Sequence, residues 1–271
     1  MRKLIIGLLV LAGLAVIVDF GAAAYSEYRV SRALREGGDL IADPEVTIHG
    51  FPFLAQAVNG RFQNVDIRAR ILRQDIPGEI SAEATLTGVH LPLGDLVDGN
   101  VRRVPVERVE GRMRLEPTEL GRLFKIPDLQ VHSRPADKSD GTGGSGGSGM
   151  TTAGALVLTG TLPGTPVASA RAGAPLGGDK VSIQADLLVE GDQVRIIATG
   201  FYKGTGTETT PTAVIPEADR PAVLERFTRT IDTKELPFGL RPTKVSAQGG
   251  QIVVEGKGDN VTIDLDQLQR P

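Results

Sequence analysis

The sequence predicts an α+β protein in which an antiparallel sheet packs on a long amphipathic helix. Three observations carry this. Val30, Ala33, Leu34, Gly37 and Ile41 recur at i, i+3, i+4, i+7 and i+11, a helical stripe. Downstream, apolar and polar residues alternate strictly over several runs of five to ten, the period of half-buried strands. Gly-containing pairs separate consecutive runs, as in hairpins, and consecutive hairpins make antiparallel pairs.

In chain order, Arg2 and Lys3 precede Leu4 to Val18, a run without charge that Asp19 ends. At ~1.5 Å per residue it spans about 22 Å, less than the roughly 30 Å of a bilayer core. The basic start, apolar middle and Ala22-Ala23-Ala24 read as a secretory signal over residues 1–24. Cleavage after Ala24 and retention as an anchor both fit, because helical periodicity continues past Ala24. The folded part, residues 25–271, is expected as one domain outside the cytoplasm. No twin-Arg pair is present at the start, which points to the general secretory route.

Residues Ala22 to Asp43 are expected as the long helix, stopped at Asp43-Pro44. Alternation predicts strands at Val65–Ile71, Ile80–Leu86, Val109–Leu115, Val181–Val189, Gln193–Tyr202, Thr243–Ala247, Gln251–Gly256 and Asn260–Leu265. Gly191-Asp192, Gly249-Gly250 and Gly258-Asp259 are the expected hairpin turns. Two shorter helices interrupt the strands: Thr118 to Phe124, with Thr118 as N-cap, and Glu217 to Asp232, with Val223, Leu224, Phe227 and Ile231 on one side. Ser133 to Gly149, rich in Gly, Ser and Asp, reads as a flexible loop within the domain.

Composition excludes several functions. Thirty basic against 33 acidic residues leave a net charge of −3, not the basic field that nucleic acid requires. The chain has no cysteine, which removes disulfides, thiol catalysis and thiolate metal sites. The three histidines, His49, His90 and His132, show no HxH or HExxH spacing, and His49 and His90 read as strand-end residues. Gly141 to Gly146 formally matches GxGxxG but has no strand before it or helix after it. Asp95 and Asp98 share a turn after Gly94 and are the nearest approach to an acid–base pair, though capping and solvating a short helix explains them as well. Asp264 and Asp266 alternate with apolar residues on the last strand. No cofactor and no metal site is expected, and no catalytic residue is assigned.

What stands out is apolar material at turns: Gly50–Leu54, Val89–Val97 and Leu236–Leu240. Turns normally favour polar residues, Gly and Pro. Such turns are buried corners or a surface for a lipid or partner. Arg102 and Arg103 lie beyond the second of them, and arginine pairs suit phosphate.

The segments His49-Gly50-Phe51-Pro52-Phe53-Leu54-Ala55-Gln56, Gly60-Arg61-Phe62-Gln63-Asn64-Val65 and Gly88-Val89-His90-Leu91-Pro92-Leu93 resemble an actinobacterial envelope family. That family is typified by the mycobacterial lipomannan elongation factor A. Leu236-Pro237-Phe238 and the exported start agree, and the resemblance covers most of residues 20–270. It implies a non-enzymatic periplasmic protein that binds phospholipid, of phosphatidylinositol type, and supports elongation of lipomannan and lipoarabinomannan. It also implies a tubular lipid-binding fold, a highly curved antiparallel sheet wrapped around a long amphipathic helix. Few aromatics and many Val, Leu, Ile and Ala agree with a channel for fluid acyl chains.

On this reading Phe51, Phe53, Leu54, Leu91, Leu93 and Phe238 are expected at the apolar lining or its membrane-facing mouth, and Arg102 and Arg103 at an anionic headgroup. The expected partners are phospholipid, the outer surface of the plasma membrane and a membrane mannosyltransferase. Two alternatives remain at this point. One is a structural or chaperone-like partner of that transferase, with a flat apolar patch and no channel. The other is an envelope glycolipid hydrolase using Asp95 or Asp98.

Overall fold

The structure, a computed structural model, describes residues 2–38, 40, 42–72, 76–98, 103–135, 151–162, 180–202, 215–233 and 236–264. The protein is α+β with antiparallel strands, as the alternation predicts. The strands form two sheets, neither of them closed.

The chain opens with one continuous helix, α1 (Arg2–Gly38). The apolar leader and the amphipathic stripe are thus a single rod, which ends at Gly37-Gly38 rather than running to Asp43. Gly costs helix about 1 kcal/mol per residue relative to Ala. Residues 4–18 are solvent-exposed apolar surface, whereas Leu34 is buried and Val30 packs against the core. Beyond α1 the chain turns back through buried Pro44, whose carbonyl accepts the Ser31 hydroxyl at 2.6 Å.

The first sheet has six strands in the order β1-β2-β3-β4-β11-β10. These are β1 (Glu45–His49), β2 (Arg61–Leu72), β3 (Glu79–His90), β4 (Arg103–Leu115), β10 (Pro242–Gln248) and β11 (Gln251–Asp264). Strict alternation gives it an apolar inner face under α1 and a wet outer face. The outer face is a lattice of ion pairs: Arg114–Glu83 at 3.0 Å, Lys257–Glu110 at 2.9 Å, Arg108–Asp259 at 3.0 Å, and Arg61–Glu107. The expected turn at Gly258-Asp259 does not form. β11 runs through it to pair with β4 along its length in one register, Asp259 opposite Arg108 and Val261 opposite Val106, with Asn260 between them at φ 52°. The Gly249-Gly250 hairpin does form, with both residues at positive φ (58° and 83°), the geometry of a two-residue primed turn.

The second sheet has the order β5-β6-β7-β8-β9, from β5 (Gln130–Pro135), β6 (Thr151–Thr161), β7 (Lys180–Glu190), β8 (Gln193–Phe201) and β9 (Arg229–Asp232). Strand β10 of the first sheet lies against β5–β8, so one hydrophobic core runs through both sheets. Of the expected Gly/Ser-rich loop, Ser133–Pro135 belong to β5 instead; its remainder from residue 136 lies outside the described residues, as does the GxGxxG-like run.

Three short helices border the first sheet: α2 (Phe53–Asn59), α3 (Leu93–Asp98) and α4 (Pro117–Phe124). Glu116, not Thr118, is the N-cap of α4, because Pro117 takes the first helical position where its missing N–H is harmless. The expected helix from Glu217 to Asp232 is shorter. A 3₁₀ turn (217–219) leads into α5 (Arg220–Arg226), and Arg229–Asp232 becomes β9, paired with β8. Thr228, Thr230 and Ile231 are β-branched and favour strand. The Thr228 hydroxyl closes the helix by donating to the Leu224 carbonyl at 3.2 Å.

Candidate functional site

The inner face of the first sheet and the C-terminal half of α1 do not meet everywhere. Between them lies a partly open cavity of about 50 Å³. Val30 and Leu34 of α1 form one wall. Ile48, Phe62, Val65, Ile67, Leu86, Val89, Val104 and Ile263 form the sheet side, and Leu91, Leu96 and Phe238 close it at the turns. Every lining residue is aliphatic or phenylalanine. Strand register explains the cluster: Phe62 faces Val89, Val65 faces Leu86, Val89 faces Val106 and Val104 faces Ile263, so the wall sits at the end of the sheet next to α2 and α3.

The aliphatic lining matches the expectation, but the volume is that of a short pocket rather than a long tunnel. An engineered cavity of about 150 Å³ holds a benzene ring. A full acyl chain therefore enters only if α1 and the sheet part.

The expected apolar residues separate into three groups. Leu91 and Phe238 line the cavity. Phe238 is held there at φ 59°, a conformation that costs a bulky residue roughly 1–3 kcal/mol and persists only where its surroundings impose it. Phe53 is buried, its ring centroid 5.8 Å from that of Phe62, and so backs the cavity wall. Phe51, Leu54 and Leu93 are exposed; the Phe51 ring stacks on Phe20 of α1 at 6.2 Å. The first apolar turn is thus the start of α2, and the second leads into α3.

Arg103 opens β4 on the outer, exposed face, one residue from cavity-lining Val104 and opposite Asp264. Arg102 lies outside the described residues. Asp95 is half-buried on α3. Among the described residues no group of three or more His, Asp or Glu is placed to hold a metal ion. His49 ends β1 and lies 2.8 Å from Asp66, and His90 ends β3 beside Glu107, both on the wet face.

Charge on the outer face is managed locally. Partial burial alone would raise the Asp66 carboxyl, but the Thr85 hydroxyl, the His49 ring and Arg68 outweigh it and hold it below the ordinary range. The Lys257 ammonium, with Arg112 and Arg108, likewise holds Glu110 low.

Sequence reasoning missed one polar residue of consequence. Asp19, the charge that ends the apolar run, is buried. Its two carboxylate oxygens accept the backbone N–H groups of Phe53 and Leu54, each at 2.8 Å. These amides open α2, whose N-cap Pro52 offers no side-chain acceptor. The signal was present in the sequence: an acidic residue beside the leader and a helix start without its own cap.

An antiparallel sheet that shelters a wholly apolar pocket beneath an amphipathic helix, with a charged lattice confined to its outer face, defines a binder of apolar ligands. The family comparison gives the ligand class. Residues 17–257 match the model of the LmeA-like phospholipid-binding family, and the chain belongs to that family. No curated protein and no solved structure matches it.

Proposed function

We propose that the protein takes an acyl chain of a phosphatidylinositol-type phospholipid into the cavity between α1 and the first sheet. In this reading it works at the outer surface of the plasma membrane of an exported envelope compartment, and supports lipomannan and lipoarabinomannan elongation beside a membrane mannosyltransferase, without catalysing a reaction itself. The observation that carries the proposal is the lining, thirteen residues of which none is polar. Each buried methylene contributes ~0.8 kcal/mol, so about ten, admitted once α1 and the sheet part, supply roughly 8 kcal/mol before the costs of opening and ordering. Apolar burial of that size holds a lipid without a strong charge site.

Leu91 and Phe238 contact the chain, Phe53 supports the wall through Phe62, and Phe51, Leu54 and Leu93 form the rim. Arg102 and Arg103 meet the anionic headgroup. Strand alternation turns Arg103 away from the cavity, so that contact is made at the rim, around the strand end.

The test is lipid extraction from the purified full chain, analysed by mass spectrometry. Enrichment of phosphatidylinositol-type species over their share of the host membrane is expected. Phospholipids in host proportion, or none, would overturn the proposal.

A further inference from the structure

We infer that α1 is retained as a membrane anchor and that α2, docked on it through Asp19, rests in the adjoining leaflet. The occupant of the exposed apolar surface around Phe51 is the lipid bilayer itself.

Four observations lead there. First, α1 is one helix whose two halves do different work. Leu4 to Val18 is exposed apolar surface, and the second half is built into the domain. Ala22 and Ala23 pack against the core, Glu27 accepts the Ile48 N–H at 2.8 Å, and Ser31 bonds Pro44. A cut after Ala24 would divide this rod and remove Asp19 from the two amides that open α2. The family match begins at residue 17, so it too includes Asp19 and the cleavage-like alanines.

Second, the docking of α2 changes the length of the apolar span. The run to Val18 is too short for a bilayer only because Asp19 ends it. With that carboxylate enclosed by the Phe53 and Leu54 amides, no other charge interrupts the helix from Leu4 to Ala24; Phe20, Gly21 and Ala24 are exposed, and Ala22 and Ala23 turn one side to the domain. Leu4 to Ala24 at ~1.5 Å per residue is about 31 Å, the thickness of the hydrocarbon core.

Third, the residues beyond that span are those of an interface. Tyr25 and Tyr28 are each 54% exposed, and amphipathic aromatic rings collect at headgroup depth.

Fourth, the domain presents apolar surface at the same level. Phe51 is 65% exposed and stacked on Phe20, and Val58 of α2 is 74% exposed. Phe51, stacked on Phe20, continues the exposed apolar side of α1, which is what selects a bilayer over a protein partner. The arrangement sets the cavity end of the first sheet beside the leaflet.

The inference does not depend on what the cavity holds, and its test separates the two. The chain has no tryptophan, so single-Trp variants report without background. Full-length Phe51→Trp and, as reference, Leu188→Trp on β7 are purified from membranes and reconstituted in phosphatidylcholine vesicles with or without brominated phosphatidylcholine. Intact mass is expected to include residues 1–24, and brominated lipid is expected to quench emission at 51 but not at 188. A mature amino terminus near Tyr25, equal quenching at both positions, or emission at 51 that is blue-shifted yet unaffected by brominated lipid (a protein-covered surface) would each overturn the inference. Adding Asp19→Ala is expected to lower quenching at 51 while membrane retention persists. Undiminished quenching would remove Asp19 from the device.

Discussion

The two sheets draw on the same residue types and end with different interiors. In the second sheet, Leu156–Gly160 of β6 and Val181–Ile183 of β7 are buried without a break, so the middle of that sheet is covered on both faces. Its packing is tight: a Cβ on Gly160 would lie 2.5 Å from the Ile126 side chain. Around β1–β4 the first sheet keeps one face wet and meets α1 on the other with a pocket between them, while its β10–β11 edge joins the core of the second sheet. A filled core fixes a shape, whereas a helix laid over an apolar face with a gap beneath it is a cover that a ligand can lift. Location of the gap, not overall hydrophobicity, separates scaffold from site.

The largest expected effect tests the filled half. Phe227 is fully buried and its ring packs 6.4 Å from that of Phe124. Phe227→Ala should cost about 3–5 kcal/mol, read as a fall in the denaturant midpoint. Phe238→Ala deletes the same ring at the cavity, where it is only half-buried, and should cost clearly less while changing lipid retention. Equal costs would erase the contrast between the halves.

Next in size is the junction of leader and domain. Asp19→Ala strands two amides at the start of α2, and hydrogen bonds to a charged group contribute about 1.5–3 kcal/mol. The expected readout is earlier unfolding in detergent, with faster proteolysis around residues 51–59.

Filling the cavity should dissociate function from stability. Leu86→Trp places bulk into the pocket at about 1–3 kcal/mol of strain. The variant is expected to remain folded by circular dichroism and to lose co-purifying phospholipid. Unchanged lipid content would move the site elsewhere.

The smallest effect concerns acid. The Asp66 carboxyl is held low in the folded protein, so its stabilisation is complete above the unfolded value of about 3.9 and is lost as pH falls through the folded value. Asp66→Asn should lower the unfolding midpoint slightly at neutral pH, with the difference from the parent chain vanishing as pH falls below about 4. A difference that persists unchanged below about pH 3 would contradict that assignment.

Much of this architecture is legible in sequence because the strands of the first sheet are half-buried. Val65-Asp66-Ile67-Arg68 writes its two faces in alternation, and Val30 with Leu34 marks the side of α1 that meets them. Where burial is two-sided the signal fades, which is why β6, with Leu156-Val157-Leu158 all buried, carries no alternation to read. The β9 segment was obscured for another reason: Phe227 and Ile231 sit four apart, a spacing that helix and strand both permit when the chain turns between them. Of the site, Leu91 and Phe238 follow from apolar residues at turns. Leu96 lies in the same kind of segment, whereas Phe62 does not, because only strand register brings it to the wall. Asp19 was visible as an anomaly, but its partners lie 34 and 35 residues away.

The most direct measurement is cross-linking with a phospholipid that carries a photoactivatable acyl chain, followed by peptide mapping on the full chain. Adducts are expected at 30–34 of α1, 62–67 of β2 and 86–91 of β3. Adducts confined to the second sheet, or to the exposed surface around Phe51 and Val58 alone, would contradict an acyl chain held beneath α1.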